Sequence, residues 1–327
     1  MIDQLGGPWT ATLSPSQYLL TVYFVVVAAL ALMAGFVRTG ITWGEVGSRY
    51  RTATVARLSV VAIAALSNVA ILIALRTAYH PIGAGFDPDG SAVLVFALRY
   101  MDWSVTVPLL SVELLSVCVL TGTAARRTRI IAMAGAFLMI FTGFLGSFVF
   151  GGSSNALMML LWGTISTLFW VITTVVLVRA VRISLPRLTT ESSVSLRRAT
   201  ILLLSGWVVY PVVYLIQALT GGGEWATAVQ ITLSVADVTI KIGFGGLVHR
   251  VAKLRTAEDV RSGDDVHPES IWTSSVKQSD AGTARAVYLA TDAEGHVRRR
   301  RPPSASAVAT APDPESELPE SDHDDER

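Results

Sequence analysis

The sequence has little lysine, little cysteine and few charged residues of any kind. Its 327 residues include three lysines and one cysteine, with 16% charged and 51% hydrophobic residues. The single cysteine, Cys118, excludes an internal disulfide and a cysteine-based metal cluster. The mean hydropathy of +0.51 is too high for an ordinary soluble domain and favours a membrane protein with several spans.

Several common signatures are also absent. The sequence has no Walker loop, no dinucleotide fingerprint and no spacing typical of zinc ligands. Its five histidines lie in predicted turns, at segment ends or near the C-terminus, so we expect no metal site inside the membrane. We therefore expect neither an enzyme nor a nucleic-acid-binding protein.

Seven apolar segments are long enough to cross a bilayer, for which a helix needs about 20 residues. They lie near Leu13–Val37, Thr54–Leu75, Ala92–Leu120, Ile130–Phe150, Ala156–Val178, Ala199–Leu219 and Ala226–Leu247. The predicted fold class is an all-α membrane protein, a seven-transmembrane-helix bundle with a disordered cytoplasmic C-terminal tail. The predicted divisions are an extracellular N-terminus (1–12), the seven-helix domain (13–252) and the tail (253–327).

Arginines mark alternate turns of this predicted bundle. The turns after the first, third and fifth segments are rich in arginine, whereas the other turns carry acidic residues or no charge. Because positive residues are retained on the cytoplasmic side, the N-terminus is predicted outside the cell membrane and the C-terminus inside it. The predicted tail is rich in Asp, Glu, Ser, Pro and Arg, a composition typical of disorder.

One lysine, Lys241, lies inside a predicted span. An ammonium at that depth is unfavourable unless it is paired, neutralised or chemically converted, so it indicates a functional site. Asp237 lies four residues earlier, on the same face of a helix. A buried lysine suits Schiff-base chemistry with an aldehyde, although the pair alone is equally compatible with a structural ion pair.

The third segment carries a row of polar residues on one helical face: Arg99, Asp102, Thr106 and Glu113. A charged Lys241 and Arg99 would balance Asp102 and Asp237, which avoids an unpaired buried charge. No cation is evident near Glu113 in the cytoplasmic half. We therefore expect burial to keep Glu113 protonated at rest and able to donate a proton later. Intramembrane ionisable groups of this kind mark ion or proton pathways.

Aromatic and small residues in the same segments predict a pocket for an elongated apolar ligand with an aldehyde group. They are Trp103, Met139, Thr142, Gly143, Trp162, Ser166, Thr167, Trp170, Trp207, Tyr210 and Pro211. Taken singly, each of these residues is more often part of ordinary helix packing.

Three motifs in these segments resemble the microbial rhodopsins. They are Arg99-Tyr100-x-Asp102-Trp103-x-x-Thr106-x-Pro108-Leu109-Leu110, Trp207-x-x-Tyr210-Pro211 and Asp237-x-x-x-Lys241. The resemblance covers all seven segments up to about residue 250 and does not include the tail. Within the family, Asp102, Thr106 and Glu113 together are similar to the pattern of the outward proton pumps of the proteorhodopsin and xanthorhodopsin group.

This resemblance implies all-trans-retinal as the cofactor, bound through a Schiff base to Lys241. The residues expected around it are Trp103, Leu110, Met139, Gly143, Ser166, Thr167, Trp207, Tyr210 and Pro211. Leu110 stands at the colour-tuning position and predicts green rather than blue absorption.

The resemblance also implies a role for each charged residue. Asp102 would be the primary counterion and proton acceptor, and Asp237 the second counterion. Arg99 would couple them to the exterior, and Thr106 would be the hydroxyl partner of Asp102. Glu113 occupies the position of the cytoplasmic proton donor.

Some positions depart from the family pattern. Ser67-Asn68 stand where proteorhodopsins commonly have a histidine beside the acceptor, and no acidic pair resembling a release group occurs near Val229 and Gln230. Gly163 stands where many relatives have a large aromatic residue. The resemblance allows a carotenoid antenna against this glycine, and a packing glycine is the alternative.

The sequence therefore predicts a light-driven outward proton pump. The alternative is a photosensory retinal receptor that signals through the cytoplasmic tail, and a third possibility is a seven-helix transporter without retinal. The expected partners are the lipid bilayer, the transported proton and further copies of the chain in a homo-oligomer, with a trimer or pentamer common in the family.

Overall fold

The fold is a bundle of seven membrane-spanning helices. The computed structural model describes residues 7–150, 155–219, 221–264, 267, 271–273 and 276–279. Within these ranges, seven helical spans are long and apolar enough to cross a membrane, which confirms the predicted fold class. The helices are α1 (Pro15–Ile41), α2 (Arg51–Ala78), α3 (Val93–Ser116), α4 (Gly122–Phe144), α5 (Ala156–Ser184), α6 (Thr190–Leu219), α7 (Gly223–Val238) and α8 (Gly245–Ser262).

The seventh span contains two α-helices and a π-helical segment. Residues Thr239–Phe244 form this π-helical segment, and it joins α7 to α8 without a turn. The three pieces form one span, Gly223–Ser262. A second π-helical segment, Leu145–Phe150, follows α4.

The helices form a ring in chain order. Each helix from α1 to α6 packs against the next one, α6 packs against α8, and α7 packs against α1 to close the ring. Because short connections join them, successive spans run in opposite directions. The arginine-rich turns after α1, α3 and α5 therefore share one end of the bundle, here called the basic end, with the C-terminal part of α8.

Local sequence signals fix several helix starts. Ser14 caps α1 in a capping box: its Oγ accepts from the Gln17 amide at 3.3 Å, and the Gln17 side chain accepts from the Ser14 amide at 2.8 Å. Pro15 follows in the first helical position, where its missing N–H costs no hydrogen bond. Asn155 caps α5 in a similar way through the Met158 amide at 3.1 Å.

A hairpin and the N-terminal segment cover the end of the bundle opposite the basic end. Strands β1 (Tyr79–Ile82) and β2 (Gly85–Pro88) form an antiparallel pair between α2 and α3. The backbone of Leu13 bonds to Phe86 through both its N–H and its carbonyl. The Tyr18 ring stacks on Phe86 with 4.1 Å between centroids. These contacts tie the chain before α1 to the α2–α3 connection.

At the basic end, Glu45 joins the α1–α2 connection to α8. Its Oε2 accepts from His249 at 3.0 Å and lies 2.9 Å from the Lys253 ammonium. Burial alone would raise the pKa of the Glu45 carboxyl, but the bonds from Lys253 and His249 outweigh it and hold the pKa below its ordinary value. The carboxylate therefore remains charged at neutral pH and holds the two elements together.

Several spans extend beyond the predicted bounds. Helix α6 begins at Thr190 instead of Ala199, and α8 continues to Ser262, whereas the apolar segment ends at Leu247. Hydropathy detects only the part of a helix that lies in hydrocarbon, and these extensions carry charged side chains suited to the interface. Helix α8 thus continues past residue 252, where the prediction ends the seven-helix domain.

Two short strands occur within the predicted tail. Strands β3 (Ile271–Thr273) and β4 (Val276–Ser279) form an antiparallel hairpin that packs against α8. The remainder of the predicted tail, 280–327, lies outside the described residues.

Gly206 on α6 packs tightly against the seventh span. A Cβ at this position would lie 2.5 Å from Cγ1 of the buried Ile240, which precedes Lys241. We expect Gly206→Ala to lower the free energy of unfolding by about 1–3 kcal/mol, because the added methyl overpacks this contact. Denaturant titration in detergent, followed by circular dichroism, measures the change.

Gly40→Ala in α1 is the matched control, because no atom lies within 4 Å of its Cβ position. Equal stabilities of the two variants would contradict the packing account.

Candidate functional site

Lys241 lies in the π-helical segment of the seventh span, and its side chain is 1% exposed. Its Nζ donates to Oδ2 of Asp102 at 2.5 Å and to Oδ2 of Asp237 at 2.9 Å. The two carboxylates come from α3 and α7 and are also buried. The structure thus brings together three residues that the sequence placed 139 and 4 positions apart.

Arg99 supplies the second buried cation of this cluster. Its Nε donates to Gln230 at 2.8 Å and its Nη2 to Ser234 at 2.9 Å. Its charge also acts on Asp237 and Asp102, although neither lies within ion-pair distance among the described contacts. Two cations and two carboxylates therefore share one buried region, as the charge count of the sequence predicts.

Gln230 and Ser234 are site residues that the sequence analysis missed as partners of Arg99. Both are uncharged, so a search for ionisable residues does not select them. Their spacing did carry a signal, because residues 230, 234, 237 and 241 fall on one helical face.

The structure gives Thr106 a different bond from the predicted one. Its Oγ1 donates to the backbone carbonyl of Asp102 at 3.0 Å, not to the Asp102 carboxylate. This i−4 bond is a common alternative for hydroxyl side chains within helices. Ser67 and Asn68 likewise bond to backbone carbonyls, those of Leu98 and Ala64. Among the described residues, Oδ1 of Asp102 accepts no hydrogen bond.

Glu113 lies further along α3 toward the basic end and is 1% exposed. The rise of an α-helix places it about 16 Å from Asp102 along the axis. Neither of its carboxyl oxygens has a hydrogen-bond partner within the described part of the chain.

The expectation that no cation lies near Glu113 overlooked Arg57. This arginine is buried on α2, the helix that packs against α3. The sequence did carry this signal, because Arg57 is the one charged residue inside the predicted span Thr54–Leu75.

A largely apolar cavity of about 240 Å³ lies beside this cluster. The predicted pocket residues that line it are Trp103, Met139, Gly143, Ser166, Thr167, Trp170, Trp207, Tyr210 and Pro211, and Gly163 lines it too. Thr142 and Trp162, which were also predicted, do not line it. Leu110 is buried but does not line the cavity. Tyr100, Phe96 and Tyr214 line it although the sequence analysis did not select them.

Trp103 connects the cavity to the charged cluster. It lines the cavity, and its Nε1 donates to Oδ1 of Asp237 at 3.4 Å. Its ring meets Tyr210 edge-on with 4.6 Å between centroids. Trp103 therefore lies between the cavity and the Asp237 carboxylate that pairs with Lys241.

Gly163 packs closely against α6. A Cβ there would lie 2.8 Å from the Tyr214 ring, whose hydroxyl donates to the Met159 carbonyl at 2.7 Å. This contact accounts for the glycine by helix packing, and the carotenoid antenna stays a prediction.

Comparison with known proteins identifies the family. The family described as Bacteriorhodopsin-like protein matches residues 16–254, which include all or most of each of the seven spans. The chain belongs to the microbial rhodopsins. In sequence, this rhodopsin is 28% identical over 189 residues to a bacteriorhodopsin-II-like protein of Haloquadratum walsbyi, covering 57% of this chain and 72% of that protein.

Solved structures give the same result. The structure of xanthorhodopsin, described as a light-driven ion pump with dual chromophore, matches with a TM-score of 0.68 and 30% identity. A thermophilic rhodopsin matches with a TM-score of 0.69 and 26% identity. Each match covers 76% of this rhodopsin and 98% of the other chain.

The buried cluster makes a prediction for the protein without any ligand. Lys241→Met leaves Asp102 and Asp237 buried without their ammonium, so we expect it to lower the free energy of unfolding by about 3 kcal/mol. Denaturant titration of the retinal-free protein measures this loss.

Lys253→Met is the matched control, because its ion pair with Glu45 is partly solvated and contributes at most about 1 kcal/mol. Similar losses in the two lysine variants would refute the dependence of the cluster on Lys241.

Proposed function

We propose that this rhodopsin is a light-driven pump that moves protons outward across the cell membrane. One observation carries the proposal: a buried lysine lies between two buried carboxylates, and a third buried carboxyl, Glu113, lies on the same helix toward the basic end. The likeness to xanthorhodopsin, a light-driven ion pump by its description, supports a pump. The positive-inside rule makes the basic end cytoplasmic.

The residues of the site fit retinal as the chromophore. Lys241 would hold it covalently, because a desolvated lysine amine suits linkage to an aldehyde. The aromatic walls at Trp103, Trp207 and Tyr210 suit an elongated apolar molecule and exclude water from the lysine. When bound, retinal supplies absorption of visible light and a light-driven change of shape between its all-trans and 13-cis forms.

The outward step uses the contact between Lys241 and Asp102. Nζ lies 2.5 Å from Oδ2 of Asp102, within hydrogen-bond distance, so a proton on Nζ can pass directly to this carboxylate. Asp237 remains as the second anion, and Arg99 keeps the region close to electrical balance after the transfer. Gln230 and Ser234 hold the Arg99 guanidinium in position.

The inward side uses Glu113 as the proton donor to Lys241. Its carboxyl is buried, has no bond to a neighbour in the described residues and lies between the lysine and the cytoplasmic end. Each proton moved outward works against about 2.3 kcal/mol per 100 mV of membrane potential. A pump therefore needs an acceptor and a donor on opposite sides of the lysine, which Asp102 and Glu113 provide.

The transport prediction is tested with cells that express the chain with all-trans-retinal in an unbuffered medium. We expect illumination to acidify the medium, and a protonophore to abolish the change. Lys241→Ala cells are the control and should show neither colour nor a pH change. Colour without a pH change would favour the photosensory alternative, and a light-driven alkalinisation that the protonophore enhances would indicate transport of another ion.

The donor role predicts a specific kinetic defect. Glu113→Gln cannot give up a proton, so we expect the return of a proton to Nζ of Lys241 to slow by about 100-fold, within the range of general acid catalysis. The visible absorbance of the unilluminated protein should not change. Flash-induced absorbance changes measure the return.

Glu224→Gln is the matched control, because Glu224 is an exposed carboxylate at the start of α7. An unchanged photocycle in Glu113→Gln would remove Glu113 from the donor role.

A further inference from the structure

Arg57 is an arginine buried inside a membrane span. It lies on α2, its side chain is 3% exposed, and its Nε has no hydrogen-bond partner among the described residues. Burial of a guanidinium at this depth is unfavourable, and intramembrane ionisable groups of this kind usually mark a functional site. The carboxyl groups near Arg57 therefore indicate its role.

Two carboxyl groups lie at the same end of the bundle as Arg57. Glu113 is on α3, the helix that packs against α2, and Glu45 is in the connection that precedes α2. Glu45 already bonds to His249 and Lys253, whereas both oxygens of Glu113 have no partner in the described residues. Glu113 is thus the carboxyl with bonding capacity left for the Arg57 guanidinium.

The packing of α8 fixes where Arg57 lies. A Cβ on Gly245 would lie 3.0 Å from Nε of Arg57, 3.2 Å from Cδ and 3.3 Å from Cγ. The side chain therefore runs along the backbone of α8, one helical turn from Lys241. Glycine at 245 leaves the room for it.

We propose that Arg57 is the cation that stabilises the carboxylate of Glu113 after Glu113 has given its proton to Lys241. This inference rests on the proposed donor role of Glu113. The transfer removes a proton from a Glu113 oxygen, places it on Nζ and leaves a negative charge on Glu113. The Arg57 guanidinium offsets that charge until a proton from the cytoplasm restores the neutral carboxyl. Arg57 is therefore a positioning residue that accelerates the donation step.

The test compares Arg57→Gln with Arg51→Gln, which removes an exposed arginine from the start of the same helix. We expect Arg57→Gln to slow the return of the proton to Lys241 by about tenfold. This factor corresponds to the loss of one hydrogen bond to a charged group. Arg57→Lys should restore most of the rate, and Arg51→Gln should match the parent. A rate in Arg57→Gln equal to that of Arg51→Gln would overturn the inference.

A second readout separates an effect on Glu113 from a general disturbance. The infrared band of the Glu113 carboxyl is assigned by its loss in Glu113→Gln. We expect the band to shift in Arg57→Gln and to stay in place in Arg51→Gln. The double variant Arg57→Gln/Glu113→Gln should be no slower than Glu113→Gln alone, since Arg57 acts through Glu113. Additive slowing would assign Arg57 a merely structural role.

Two glycines provide a test that leaves Arg57 itself intact. Gly245→Ala displaces the Arg57 side chain, whereas Gly246→Ala meets no atom within 4 Å. A slower proton return in Gly245→Ala than in Gly246→Ala supports the inference, and equal rates contradict it. The Glu113→Gln variant tests the donor role independently of Arg57. An unchanged photocycle in that variant would show that the donor role itself has failed.

Discussion

The Lys241 ammonium between Asp102 and Asp237 is the interaction on which the remaining structure depends. All three groups are almost fully buried, so none of them is stable in charged form without the others. The same need for compensation applies to the surrounding residues. Two carboxylates require a second cation, Arg99, and Arg99 requires Gln230 and Ser234 as hydrogen-bond acceptors. The polar interior of the bundle is therefore one connected set of charges and acceptors.

A low-dielectric interior also separates the two ends of the transport path. The charged cluster belongs to the half of the bundle away from the basic end, while Glu113 and Arg57 form a second, smaller set nearer to that end. Between these sets α3 contributes apolar residues such as Val107 and Leu110, both buried. A proton crosses this layer only when a group on one side changes its affinity, which gives a pump its direction.

Much of this arrangement was predictable from the sequence, because a bilayer restricts the possible folds severely. Segment length fixed the seven spans, and the one lysine within a span identified the centre of the site. Helical spacing placed Gln230 and Ser234 on the face of Lys241, but their bonds to Arg99 were not predictable, since these depend on how α3 and α7 are rotated about their axes. The bond of Thr106 was not predictable either, because its hydroxyl can bond to a carboxylate or to the i−4 carbonyl.

The extensions of α6 and α8 beyond the apolar segments could not be predicted from hydropathy. Hydropathy follows contact with lipid and not hydrogen bonding, so the extension of α8 to Ser262 carries no apolar signal. Arg57 was missed for a different reason. Its span is apolar overall, and the role of a single buried arginine can be inferred only when a carboxyl on a neighbouring helix is known to lie near it.

The π-helical segment at Thr239–Phe244 sets the rotational phase of the seventh span. A π-helical turn holds one more residue than an α-helical turn, and one residue corresponds to a rotation of about 100° around the axis. The segment thereby turns the face of α8 that carries Gly245 relative to the face of α7 that carries Asp237. Loss of a single residue here would rewind the span into a continuous α-helix and rotate Gly245 away from α2. Substitutions in the segment keep the rotation of α8 relative to α7, whereas insertions and deletions there change it.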